Sequence, residues 1–108
     1  MPRSFILGEF EHLVLLVIMQ LGNDCHALEL RERLSDVIGH EITRGALYRT
    51  LDRLGEKGYL VWTLEEGGPS RGGHPRRRFE VTAAGIEALR DARSVFLEMW
   101  DGLGEALQ

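Results

Sequence analysis

The sequence predicts a mainly α protein with one small β-hairpin, and three observations carry that prediction. The stretch 42–58, ITRGALYRTLDRLGEKG, has the marks of a short helix with both ends defined and a basic side. Two short runs rich in β-branched and aromatic residues come after it, separated by GGPSRGGHPRR, a loop rich in Gly, Pro and Arg. A last helical segment, from Ala83 nearly to the C-terminus, is apolar at heptad spacing. Together they describe a winged helix-turn-helix over residues 1–82 followed by a C-terminal dimerisation helix over 83–108.

Composition bounds the reading. A chain of 108 residues, 44% hydrophobic and 28% charged, suits one globular domain with a modest core and leaves little room for an enzyme cleft. The apolar run from Leu13 to Met19 is too short to span a bilayer, and the N-terminus lacks the pattern of a secretory signal. A soluble cytoplasmic protein with no membrane partner is therefore expected. Cys25 is the single cysteine, so no internal disulfide can form and a reduced structural thiol is the default.

The net charge of −4 looks wrong for a nucleic-acid binder until it is divided along the chain. Residues 1–41 carry three Arg against seven acids, 42–78 eight Lys or Arg against four, and 79–108 two Arg against six. Positive charge is thus concentrated in the middle third, as on a phosphate-facing surface of an otherwise acidic protein.

Residues 7–21 form the first element, a helix apolar nearly all round, with Glu9 and Glu11 in the first turn where the helix dipole favours acids. Such a helix is expected to be covered on more than one side, with Leu13 and Leu16 available to a partner subunit. Gly22, Asn23 and Asp24 break the pattern. A second amphipathic helix spans 26–38, with Leu30, Leu34 and Ile38 on one face and Gly39 as its stop. A turn of a few residues leads to the third helix, where Thr43 is the N-cap and Ile42 and Leu47 have staple spacing. Leu47, Leu51 and Leu54 form its buried stripe, and Gly58 is placed to end it in the left-handed region.

Arg44, Tyr48, Arg49 and Arg53 fall away from that stripe. In an arbitrary helix they would read as a solvated charged face. The segment downstream of the helix reverses that reading. Strands are expected at 59–65 and 77–81, and the loop between them carries Arg71, His74, Arg76 and Arg77, with Arg78 next in line. A hairpin with a long basic tip is a wing, the usual second contact beside a helix placed in the major groove of double-stranded DNA. Within the helix only Thr43, Arg44, Tyr48 and Arg49 are expected to reach the duplex. Tyr48 is open to two readings, a phosphate hydrogen bond or partly buried packing.

Thr82 is placed to cap the last helix. Leu89, Ala92, Phe96, Met99, Leu103 and Ala106 continue a heptad seam along it, widened by Ile86, Val95 and Trp100. One small domain cannot easily cover so much apolar surface, so the seam is expected to pair two copies and align two recognition helices with two half-sites.

Other chemistries find little support. His12, His26, His40 and His74 with Cys25 lack metal-ligand spacing, Ser4, Ser35, Ser70 and Ser94 lack the surroundings of an activated nucleophile, and the Gly-rich loop has no G-K-[ST]. No catalysis, metal or cofactor is expected. A winged helix serving protein-protein or RNA contacts is the rival reading.

The segments LGEFEHLVLL, RGALYRTLDRLGEKGYL and RGGHPRRRFEVT, followed by AAG at 83–85, resemble the PadR family of transcriptional regulators. The likeness covers most of the chain in family order. It implies a homodimer built on the first and last helices, binding a two-fold symmetric promoter site, usually as a repressor. It also implies DNA contact through Thr43, Arg44, Tyr48 and the basic wing, and places the chain in the branch with one C-terminal helix. Some members of that family release DNA on binding aromatic molecules, which makes the dimer centre near Phe96 and Trp100 the expected place for such an effector.

Overall fold

The computed structural model describes residues 7–67 and 75–107. Four helices and a small sheet occur in the order α1 Glu9–Gln20, β1 Cys25–His26, α2 Ala27–Ile38, α3 Arg44–Glu56, β2 Leu60–Glu65, β3 Arg76–Val81 and α4 Ala83–Trp100. The helices form a layer around Val14, Leu15, Ile18, Leu30, Leu34, Leu47, Leu51 and Leu54, all buried, and the sheet closes the layer with Leu60, Phe79 and Val81. Burying each large aliphatic side chain contributes about 1.5–3 kcal/mol, so this cluster dominates the stability of so small a fold.

Local chemistry sets the limits of α3. The Thr43 hydroxyl accepts from the Ala46 amide at 3.2 Å, and the Ile42 amide donates to Ser35 Oγ at 3.0 Å, fixing the turn between α2 and α3. At the other end Gly58 takes φ +79°, and the Tyr59 amide then reaches back to the Leu54 carbonyl at 2.9 Å. Thr50, left outside the leucine stripe by the sequence reading, is buried beside it.

The sheet corrects the expectation of a bare hairpin. Its strand order is β1-β3-β2, all antiparallel, with Cys25 opposite Phe79, His26 opposite Arg78 and Trp62 opposite Phe79. The polar break before β1 also anchors the sheet. Asn23 adopts φ +57°, which Asn tolerates better than most residues, and its side-chain amide exchanges hydrogen bonds with the Val81 backbone at 2.7 and 3.3 Å. Cys25 is fully buried and its thiol is pushed up to about 12, chiefly by burial, as expected for a structural cysteine.

The last helix also differs from expectation. α4 ends at Trp100, and Gly102 takes φ +79° in the turns beyond it, so Leu103 and Ala106 do not continue the helical seam. Leu103 remains an exposed apolar residue, but beyond the end of the helix. The start of α4 is tightly held. The Thr82 hydroxyl donates to the Gly58 carbonyl at 2.6 Å and accepts from the Gly85 amide at 3.0 Å, while the Thr82 amide donates to the Tyr59 carbonyl.

Candidate nucleic-acid interface

Four elements meet at one surface: α3 through its N-terminal turns, α2 through its start, and β2 and β3 through their outer halves. The alternation of side chains in the wing sorts its residues onto two faces. Leu60, Trp62 and Leu64 share a face with Val81, Phe79 and Arg77. This face is core at its inner end and becomes aromatic and basic as it runs outward. The opposite face carries Thr63 and Glu65 with Arg78 and Arg76, and the His26 side chain joins them through the β1 pairing.

Between the outward part of the first face and α3 lies a groove of about 730 Å³, lined among others by Arg31, Arg44, Tyr48, Leu64, Arg76 and Arg77. Arg44 and Tyr48 line its α3 side; Thr43, Arg44 and Arg49 are exposed on the helix and Tyr48 is half-buried. Arg44 and Arg77 each approach the Tyr48 ring, at 5.9 and 5.8 Å from its centroid, and Arg77 lies 4.2 Å from the centroid of Trp62. Trp62 was not among the sequence candidates. Its strand alternation with Leu60 and Leu64 was the signal that could have found it.

The far end of α3 is occupied with holding the helix in place. Lys57 Nζ donates to both carboxylate oxygens of Glu11 on α1, at 2.8 and 3.0 Å, and Arg53 Nε lies 3.9 Å from the same carboxylate. Burial pushes the Glu11 carboxyl up, yet the Lys57 and Gly8 hydrogen bonds and the two cations outweigh it and hold the group below its ordinary value. Arg53 also donates to Thr50 Oγ1 at 3.3 Å. Free positive charge on α3 is therefore concentrated at its N-terminal half.

Arg78, predicted as a DNA contact, sits in an ion-pair cluster instead of facing outward alone. Its guanidinium donates to Asp24 Oδ1 at 2.6 Å and to Glu65 Oε2 at 2.6 Å, and lies 2.8 Å from His26 Nε2. His26 Nδ1 faces Glu29 Oε1 at 2.7 Å on its other side. The Arg78 hydrogen bond, and then that of His26, hold the Glu65 carboxyl down at about 2, and Arg78 lowers Asp24 in the same way. These two carboxylates raise the Arg78 guanidinium in turn. The cluster joins β1, the start of α2, β2 and β3, so its effect is to fix the base of the wing to the helix-turn-helix. None of Asp24, His26 and Glu65 was expected at this surface from sequence.

Arg76 is exposed and only loosely paired, 3.7 Å from Glu65. Arg71 and His74 lie outside the described residues. The residues expected at a dimer seam fall on α1 and α4, except Leu103, which lies beyond the end of α4. Leu13 and Leu89 are half-buried against the core, whereas Leu16, Phe96, Met99 and Trp100 are exposed, Met99 to 69% and Trp100 to 55%. His12 and Phe96 approach ring to ring at 6.0 Å, which joins the α1 and α4 parts of this apolar surface. Phe96 and Trp100 line no part of the groove beside α3. Among the described residues, no helix is long and apolar enough to cross a membrane.

Comparison with known proteins agrees with this architecture. A solved PadR-like transcription factor from Bacteroides fragilis superposes with a TM-score of 0.76 at 20% identity, over 90% of this chain and 88% of that one. A PadR family transcriptional regulator from Eggerthella lenta superposes with a TM-score of 0.69 at 29% identity, over 93% and 87% of the two chains. RosR of H. salinarum gives 0.72 at 23% identity, over 89% and 79%. A search of the curated proteins found no match. The Transcriptional regulator PadR-like family matches residues 14–91, the span from α1 through α3 and the β2–β3 hairpin into α4. The chain belongs to this family of transcriptional regulators, which act on DNA and are not enzymes.

Proposed function

We propose that the protein is a sequence-specific repressor that binds a two-fold symmetric promoter site as a homodimer. Residues 1–82 contain the DNA-binding unit, and α4, Ala83–Trp100, supplies the dimerisation helix. The observation that carries the reading is the pairing, across one groove, of a capped helix whose exposed N-terminal cations include Arg44 and Arg49 with a basic wing. Thr43, Arg44 and Tyr48 read or orient on bases in the major groove, and Arg49 neutralises backbone phosphate. In the wing Arg71, His74 and Arg76 provide the second contact. Arg78 braces the wing through Asp24 and Glu65.

Two copies pair through α1 and α4, with Leu13, Leu16, Leu89, Phe96, Met99 and Trp100 at the contact and Leu103 at its edge. A two-fold axis there aligns two recognition helices with two half-sites. An aromatic small molecule held at the dimer centre against Phe96 and Trp100 releases the complex by changing the angle between the protomers. This last step rests on the family likeness and on the exposure of both aromatics.

The test is a binding titration against duplexes from the protein's own upstream region, with an RNA duplex as competitor. Affinity is expected to fall with salt at a log-log slope of about 0.9 per phosphate neutralised. A flat salt response, or equal competition by RNA, would overturn the reading in favour of a protein-protein or RNA contact module.

A further inference from the structure

We infer that Arg77 is a positioning residue: stacked between Trp62 and Tyr48, it fixes the distance between wing and recognition helix, and this spacing is its contribution to DNA binding. The inference rests on the proposed DNA-binding function and goes beyond it, because Arg77 was expected to act as one more wing cation.

The three consecutive arginines of β3 have different surroundings. Arg76 and Arg78 leave the strand on its polar face, where Glu65 meets both and Asp24 meets the second. Arg77 leaves on the other face, opposite Leu64 in the pairing with β2. Its guanidinium carbon lies 4.2 Å from the Trp62 ring centroid and 5.8 Å from that of Tyr48. Trp62 is 45% exposed and Tyr48 half-buried, so the attraction of a cation to an aromatic face is only partly screened by water. A flat guanidinium can lie against two rings at once, which a lysine ammonium cannot do equally well.

Both anchor points are rigid. β3 pairs with β2 along its whole length, Leu64 standing opposite Arg77, and β1 adds a second partner at the neighbouring Arg78 and at Phe79. Tyr48 sits next to buried Leu47 on a helix whose Leu51 and Leu54 are also buried. Arg77 therefore bridges the groove between two fixed walls, and Arg44 lies on the same Tyr48 ring at 5.9 Å. Helix and wing must touch one duplex at the same time. Setting their spacing before binding removes an ordering cost that a loose wing would meet on every association.

The experiment uses the full chain and a duplex retained by the wild-type protein from fragments of its own upstream region. Arg77→Lys and Trp62→Leu are each expected to weaken binding roughly three- to tenfold, the size of one or two lost stacking contacts. The log-log salt slope should stay at the wild-type value, and the double variant should lose no more than the weaker single one. If Arg77→Lys bound like wild type while Arg77→Met lowered the slope by about 0.9, Arg77 would be a phosphate contact and the inference would be overturned.

A second arm needs no DNA. With Trp100→Phe, Trp62 becomes the one indole of the chain, and Arg77→Met should change its emission while the far-ultraviolet dichroism stays constant. Unchanged emission overturns the stacking itself. If the wild type retained no duplex at all, the DNA-binding reading would fall, while a changed emission would still support the clamp.

Discussion

Gly85 lies against the backbone carbonyl of Tyr59 so closely that a Cβ atom would collide with it and with the Val81 side chain. Space, and not an unusual backbone angle, is what requires glycine here. Gly85→Ala should therefore destabilise the fold by about 2–3 kcal/mol, because the carbonyl belongs to the link between α3 and β2 and cannot step aside. In urea unfolding this appears as a lower midpoint with an unchanged slope.

Arg44 and Arg53 lie on the same helix but have different neighbours. Arg44 is exposed at the first turn, whereas Arg53 is held by Thr50 and by the Glu11 carboxylate. Arg44→Ala should lower affinity by about 1–3 kcal/mol and broaden the set of sequences recovered from a randomised duplex pool. Arg53→Ala should leave that set unaltered. Equal broadening by both would show that the N-terminal half of α3 has no special role.

Tyr48 lines the groove, and in the inferred clamp its ring meets Arg77. Tyr48→Phe keeps the ring, so thermal unfolding should be unchanged within about 0.5 kcal/mol. Weaker duplex binding by this variant would then report a hydrogen bond from the hydroxyl to DNA. Unchanged binding would assign Tyr48 to packing alone.

Acid should lower the stability of the fold through the ion pairs at the base of the wing. The Glu65 carboxyl has its folded-state value lowered from 4.5 to about 2, first through Arg78 and then through His26. A lowered folded-state value means that the stabilisation is complete above the unfolded value and is lost as pH falls through the folded one. Stability should thus be level above about pH 5 and decline from there towards pH 2. Arg78→Met should make the decline shallower, and a set of urea transitions in each buffer measures the difference. Glu11, also lowered, contributes the same background to both proteins.

Phe96 is 46% exposed on α4, beside His12 of α1. If the proposed seam joins two copies, Phe96→Glu places a carboxylate in it and should weaken dimerisation about a hundredfold or more. Sedimentation equilibrium over a range of concentrations reads this directly. A variant that associates as the wild type does would move the dimer contact elsewhere.

The range of each interaction decided whether it could be read from sequence. The leucine stripe of α3, its Thr43 cap and the Gly58 stop are local, so spacing alone revealed them. β1 was missed because two residues carry no periodicity, and its partner Phe79 is distant in the chain. The heptad spacing of Leu103 and Ala106 ran on past Trp100, although Gly102 interrupts the backbone there. Counting charge treated Arg76, Arg77 and Arg78 alike. Strand alternation separates the middle one from its neighbours, but only the fold brings Asp24 and Glu65 to Arg78 and leaves Tyr48 and Trp62 for Arg77.

The pairing of β1 with β3 bears on when the binding surface can exist. Asp24 and Arg78, at the join, are 54 positions apart, and the chain between them contains α2, α3 and β2. Closing so long a loop loses chain entropy before its contacts can compensate, so this step is expected late in folding. The caps of α3 are local and can form early, whereas the braced wing cannot. The three-stranded sheet thus acts as a completeness check: helix and wing stand at their working distance only in a molecule that has finished folding.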